Sequence, residues 1–163
     1  MTTLTQPLKD EHQELLPHLK HILGLADEIT DGTDPGLVSR IGKVHGFLTE
    51  HLLAHARIEE EALYPVVARA MGAPEATATM SRDHLEIGRL VDELGALHGQ
   101  LAGDLITPGQ AGALRRVLYG LYAVVKLHFA KEEEVYLPLL DTRLNEGQGR
   151  ALLEALEHAS HVN

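Results

Sequence analysis

A chain of 163 residues with a formal net charge of −10 is one ordinary domain, long enough to bury a core and without a basic stripe for nucleic acid. It has no cysteine, which removes disulfides, thiolate zinc sites, iron–sulfur ligation and a cysteine nucleophile together, so any metal must be held by nitrogen and oxygen. Eleven histidines are the unusual number in the composition, and there is no tryptophan to offer a stacking platform.

Apolar residues recur at helical spacing through four long stretches, with no sustained strand-type alternation, so the expected fold is all-α. The first helix spans about residues 5–30, with Leu8, Leu15, Leu19, Ile22 and Ile29 near its inner face, and "DGTDPG" ends it. Pro17 falls inside this helix and is expected to kink it. The second starts after Pro35, carries Leu37, Ile41, Val44, Leu48, Leu52 and Val66, and breaks at "MGAPE". The third covers roughly residues 74–102 and is followed by "GDLITPGQ". The fourth runs over about residues 108–144, with Leu114, Val117, Leu121, Val124 and Val125 inward, until "NEGQG" stops it. A short last helix, residues 150–158, brings Leu152, Leu153 and Leu156 to cover the side of the bundle.

Pro35, Pro74 and Pro108 sit near helix starts, where the missing N–H costs little, whereas Pro65 and Pro138 are expected to bend or end their helices. Gly42, Gly46, Gly88 and Gly95 fall within helices and mark either close helix contacts or open space. Short connections make neighbours antiparallel, giving an up-down-up-down four-helix bundle over residues 1–145 with a short additional C-terminal helix and tail over 146–163. No apolar stretch approaches the roughly 20 residues of a membrane span. The opening "MTTLTQPLKDEH" lacks the basic flank and apolar core of a signal peptide, so a cytoplasmic protein is expected.

The two halves repeat. "HARIEEEALYP" (His55 to Pro65) returns as "HFAKEEEVYLP" (His128 to Pro138), and "LKDEHQE" around His12 returns as "MSRDHLE" around His84. The pseudo-repeats run over about residues 5–71 and 74–144. Each of the four histidines lies about 18–20 residues from the turn its helix shares with its hairpin partner, or ~27–30 Å at 1.5 Å per residue. All four therefore sit at one level of the bundle. They also face inward: His12 shares a stripe with Leu8, Leu15 and Leu19, His84 with Met80, Ile87 and Val91, and His128 with Leu121, Val124 and Val125. Glu59 and Glu132, four residues after His55 and His128, lie one turn along on the same faces.

Four imidazoles and two carboxylates buried at one level need a cation, because buried charges are paired or bound to metal. Six such donors exceed one tetrahedral zinc and suit a pair of iron or manganese ions with the glutamates bridging. Two octahedral ions want about twelve bonds, and these donors with one bridging oxygen supply about ten, leaving room for dioxygen, nitric oxide or peroxide. Leu15, Ile87 and Val125 are placed to wall that pocket. Other helical metal patterns are absent: no histidine has an acid three residues before it, and there is no His-Glu-x-x-His and no EF-hand loop.

The order His12, His55-x-x-x-Glu59, His84, His128-x-x-x-Glu132, over about residues 5–142, resembles the hemerythrin-like family, the HHE cation-binding domain. The resemblance implies a four-helix bundle holding two iron ions with an oxo or hydroxo bridge. It also implies roles in oxygen binding, nitric oxide or peroxide chemistry, and iron or oxygen sensing. Oxygen-carrying members have His-x-x-x-His on the third helix, and here the second place is Gly88. They also set the last carboxylate five residues after its histidine, which makes Glu133 a rival to Glu132.

His51, one turn before His55 and matched by Val124 in the other half, is a candidate fifth imidazole or an outer, packing histidine. Glu60 and Glu133 are candidates to accept imidazole N–H groups or to face solvent. Glu11 and Asp83 read as complements of their helix dipoles, and His18, His21, His45, His98, His158 and His161 as surface or packing residues. Two functions follow: turnover or binding of a small oxidant, as in a peroxide-disproportionating or nitric-oxide-reducing enzyme, or an iron-, oxygen- or redox-sensing or iron-storage module without turnover. Neither calls for nucleic acid or membrane, and a monomer or weak homodimer is expected. A phosphotransfer bundle would use one histidine and leave the other motif residues unexplained.

Overall fold

Asp34 and Thr107 begin two long helices in the same way. Asp34 Oδ1 accepts the Leu37 N–H at 2.9 Å, and Thr107 Oγ1 accepts the Gln110 N–H at 3.3 Å while the Gln110 side chain accepts the Thr107 N–H at 2.9 Å. In each case a proline takes the next position, where its missing donor is no loss. In the computed structural model, which describes residues 3–161, these helices are α2 (residues 35–71) and α4 (residues 108–143). With α1 (Gln6–Glu28) and α3 (Ala78–Gly99) they form an all-α bundle in which each helix packs on two neighbours in the closed order α1, α2, α3, α4. A fifth helix, α5 (Glu146–His161), lays Leu152, Leu156 and Ala159 against one end of the bundle.

Several boundaries differ from the sequence expectation for identifiable reasons. The third helix starts at Ala78, because residues 74–77 are spent in turns closed by Ala76 N–H to Ala73 and Ala78 N–H to Glu75. The last helix starts at Glu146 and not near residue 150: "NEGQG" ends α4 through an extended Leu144 and immediately caps α5, with Asn145 Oδ1 accepting the Gln148 N–H at 2.9 Å. The two "loops" at the top of the bundle contain a short antiparallel pair, β1 (Gly32–Thr33) and β2 (Leu105–Ile106), joining Gly32 to Ile106 and Thr33 to Leu105.

Helix α1 runs through Pro17, where the carbonyl deprived of a partner belongs to Gln13 on the exposed face. Pro65 and Pro138 do not end their helices. Each follows a π turn, Glu59–Leu63 or Glu132–Tyr136, in which the Tyr64 N–H bonds the Glu59 carbonyl and the Leu137 N–H bonds the Glu132 carbonyl. The extra residue in the turn shifts the hydrogen-bond register just before the residue that cannot donate, so the helix continues. A third π turn, Leu48–Leu52, has no counterpart in the second half, where α-helix continues from Pro108 to Lys131.

The core is in two parts with a polar layer between them. One apolar cluster, on the side of the β pair, includes Ile22, Ile41, Leu94, Leu118 and Leu121; the other, at the end closed by α5, includes Leu8, Leu63, Val67, Met80 and Leu137. Gly42 and Gly95 allow α2 and α3 to exchange histidines: a Cβ on Gly42 would meet the His98 ring at 3.0 Å and one on Gly95 would meet His45 Nε2 at 2.5 Å. Gly46 and Gly88 face open space. No helix among the described residues is long and apolar enough to cross a membrane.

Candidate metal centre

The layer between the two apolar clusters holds His12 from α1, His55 and Glu59 from α2, His84 from α3, and His128 and Glu132 from α4. His12, Glu59 and Glu132 are at most 1% exposed. Their approach is tight: His55 Nε2 lies 2.8 Å and His12 Nε2 3.7 Å from Glu59 Oε1, while His84 Nε2 and His128 Nε2 lie 3.2 and 3.6 Å from Glu59 Oε2. Glu132 spans the same gap in the other direction, with Oε2 3.2 Å from His12 Nε2 and Oε1 3.4 Å from His128 Nε2. Each carboxylate thus offers one oxygen to the His12/His55 side and the other to the His84/His128 side.

His12 Nε2, His55 Nε2, Glu59 Oε1 and Glu132 Oε2 are buried and make no hydrogen bond, although they lie within reach of one another. They are close without being aimed at each other, which is how donors point when they converge on a shared centre. Leaving four such atoms unsatisfied costs about 1–3 kcal/mol each, so the donor set fits a metal ion and is poorly served without one. A second trio, Glu59, His84 and His128, could hold another ion.

Every imidazole is held from behind by a carboxylate on its Nδ1. Glu11 lies 3.0 Å from His55 Nδ1, Glu60 2.7 Å from His84 Nδ1, Asp83 3.0 Å from His128 Nδ1, and Glu133 3.2 Å from His12 Nδ1. These contacts fix the Nδ1–H tautomer and leave Nε2 free to face the layer. They also run in one sense, each helix supplying an acid to the histidine of the next: α1 to α2, α2 to α3, α3 to α4 and α4 back to α1. Glu11 and Asp83 therefore do more than complement helix dipoles, because their reach is across helices. Glu133 takes an outer place and Glu132 the inner one. Asp83 also pairs with Lys131, and Glu60 accepts from Ser81 Oγ at 2.8 Å.

His51 is not brought to the layer. The π turn Leu48–Leu52 takes it off the line of His55, and it is exposed with its ring 5.3 Å from that of Phe47. Leu15 and Val125 do border a small apolar cavity beside the layer, but Ile87 is buried in the larger apolar cluster and does not line it. His18 stacks on Phe47, His98 donates toward the Val38 carbonyl at 3.2 Å, and His21, His158 and His161 are exposed. A surface groove of about 630 Å³ between α2 and α5 is lined by none of the six layer residues.

Tyr64 escaped the sequence reading. Its hydroxyl donates to Glu132 Oε1 at 2.9 Å and lies 3.4 and 3.3 Å from His84 Nε2 and His128 Nε2, while its ring stacks on His84 with centroids 5.4 Å apart. The signal was a break in the repeat: aligned on the glutamates, Tyr64 corresponds to Leu137. Phe129 is its apolar counterpart on the other side, stacked on His12 at 4.2 Å.

The charges are strongly coupled. Burial pulls the His12 and His128 pKa values down, but the close Glu132 and Glu59 carboxylates outweigh it and lift them to about 9 and about 10. His55 is also raised well above its ordinary value, against burial, by the charge of Glu59 and by its bond to Glu11. Burial alone would raise Glu59, but the surrounding imidazoles, His55 first, hold it well below the usual carboxylate range. Tyr64 is pushed far above the ordinary phenol value by burial and by the nearby Glu132 and Glu59 charges, so it stays a protonated donor.

Comparison with known proteins places this geometry. A family model described as the hemerythrin HHE cation binding domain matches residues 3–140, a span that includes all six layer residues. The iron-sulfur cluster repair protein YtfE of Cronobacter sakazakii is 28% identical over 112 residues, which is 68% of this chain and 48% of that protein. The chain thus spans about half the length of the curated relative it matches. No solved structure matches the chain. The family match over most of the chain agrees with the resemblance read from the motifs, and the chain belongs to the hemerythrin HHE cation-binding domain family.

Proposed function

We propose that the chain is a non-haem di-iron protein that binds or reacts with dioxygen, hydrogen peroxide or nitric oxide at a carboxylate-bridged pair of ions. The observation that carries this reading is the straddling of Glu59 and Glu132, each with one oxygen toward His12/His55 and the other toward His84/His128. A nitrogen and oxygen donor set shared between two positions suits iron. The relative named for iron–sulfur cluster repair supports that metal. An iron pair would supply electrons and open coordination positions to a small oxidant. The chain's own part is to hold the four imidazoles in one tautomer through Glu11, Glu60, Asp83 and Glu133, and to exclude water on the Phe129 side. Tyr64 O–H is the proton donor that faces into the layer.

Metal analysis of untagged protein, purified without added metal, tests the reading: about two irons per chain is the expected result. Negligible metal after anaerobic ferrous loading would sink it. The relative's name favours a second reading, an iron-handling or sensing module without turnover. Sustained loss of peroxide or nitric oxide over many cycles decides for an enzyme, and a single stoichiometric round with a metal-dependent Tm decides for the module.

A further inference from the structure

Two cavities meet between α1 and α2 on the Phe129 side of the layer. The outer one, about 270 Å³, opens to solvent among His18, His21 and Lys43 and is floored by Ile22, Val44 and Phe47. The inner one is about 10 Å³ and is bounded by carbon side chains, among them Leu15, Leu48, Leu52, Val125 and Phe129. Ile22 and Phe47 line both, so the two cavities share a wall. The inner cavity ends on Phe129, whose ring lies flat on His12 and edge-on to His55 at 5.9 Å.

Size and chemistry together say what this seam admits. A water held there would want about 2–4 polar partners and finds none, and a void of roughly 10–15 Å³ is room for about one small molecule. An apolar diatomic needs no partner and fits. The alternative entry is on the opposite flank, where a pocket of about 380 Å³ beside His84 is lined by Leu53, Ala56 and Leu85 together with Arg57, Glu60 and Ser81. Phe47 in the shared wall is only partly buried and is covered from outside by the exposed His18 ring at 4.0 Å.

We infer that apolar diatomics reach the layer through this α1/α2 seam, passing Phe47 and dwelling against Phe129 before they meet the His12/His55 side. The inference takes its ligand class from the function proposed above and adds the route. Two measurements test it separately. In the protein without metal, xenon under pressure should perturb the methyl NMR signals of Leu15, Leu48, Leu52 and Val125, and Leu15→Phe should abolish that response; no response in the wild type overturns the seam.

In the iron-loaded protein, stopped-flow nitric oxide binding should slow about fivefold or more in Leu15→Phe and accelerate in Phe47→Ala, with rates compared per bound iron. Wild-type rates in both variants overturn the route. If the wild type takes up neither iron nor nitric oxide, the proposed function fails, while the xenon result still decides for or against the seam. Phe47→Ala, which removes bulk at a partly exposed site, keeps the rate test available if Leu15→Phe does not fold.

Discussion

Replacing Glu59 by glutamine in the metal-free protein removes one charge at nearly constant volume from the carboxylate that lies within 3.7 Å of all four imidazoles. Lifting His12 from 6.5 to about 9 and His128 to about 10 corresponds to about 3 and 5 kcal/mol at 1.4 kcal/mol per unit, an effect divided between Glu132 and Glu59. The Glu59 share is then about 3–5 kcal/mol, in line with the cost of breaking a buried ion pair. For a chain of this size it should lower Tm by about 10 °C. The sign with pH is determined. Raised imidazole values contribute stability that is fully present below about 6.5 and is lost as pH rises through the folded values of about 9 and about 10. The depressed Glu59 contributes stability present above the ordinary 4.5 and lost as pH falls through its folded value. Thermal melts of chelator-treated wild type and Glu59→Gln should differ most near pH ~6 and little near pH ~10.5. An equal deficit at both, or none near the lower pH, would refute the reasoning.

Four further outcomes follow from the same geometry. Glu132→Ala should abolish the optical signature of a paired-iron centre while the helical circular dichroism persists; a wild-type spectrum would exclude the bridging role. Tyr64→Phe should cost about 1 kcal/mol in denaturation and shift the spectrum of the iron-loaded protein without changing its metal content, because one buried hydrogen bond to Glu132 is lost. Asp83→Asn should weaken metal affinity about 10–100-fold in a chelator competition, since it uncharges the group that orients His128. Gly46→Ala, in open space, should stabilise by about 0.5–1 kcal/mol in urea, and Gly95→Ala, which meets the His45 ring, should not.

Much of this was legible because helical spacing turns sequence distance into both a face and a height. The four histidines and two glutamates converge for that reason, and the β pair escaped because two residues per strand show no alternation. His51 was misplaced by the assumption of a regular helix: the π turn Leu48–Leu52 adds a residue that no proline or glycine announces. Glu11 and Asp83 were read against their own helices, whereas their partners, His55 and His128, lie on the next ones. Tyr64 was hidden by the repeat itself, which invites the two halves to be treated as equal.

The one-way circuit of acids behind the histidines has a consequence for assembly. A bundle with any helix undocked leaves one imidazole without its carboxylate and another carboxylate without its imidazole, so no three-helix intermediate presents a finished set of donors. The full set, with every imidazole backed by its carboxylate, therefore exists only once all four helices have docked.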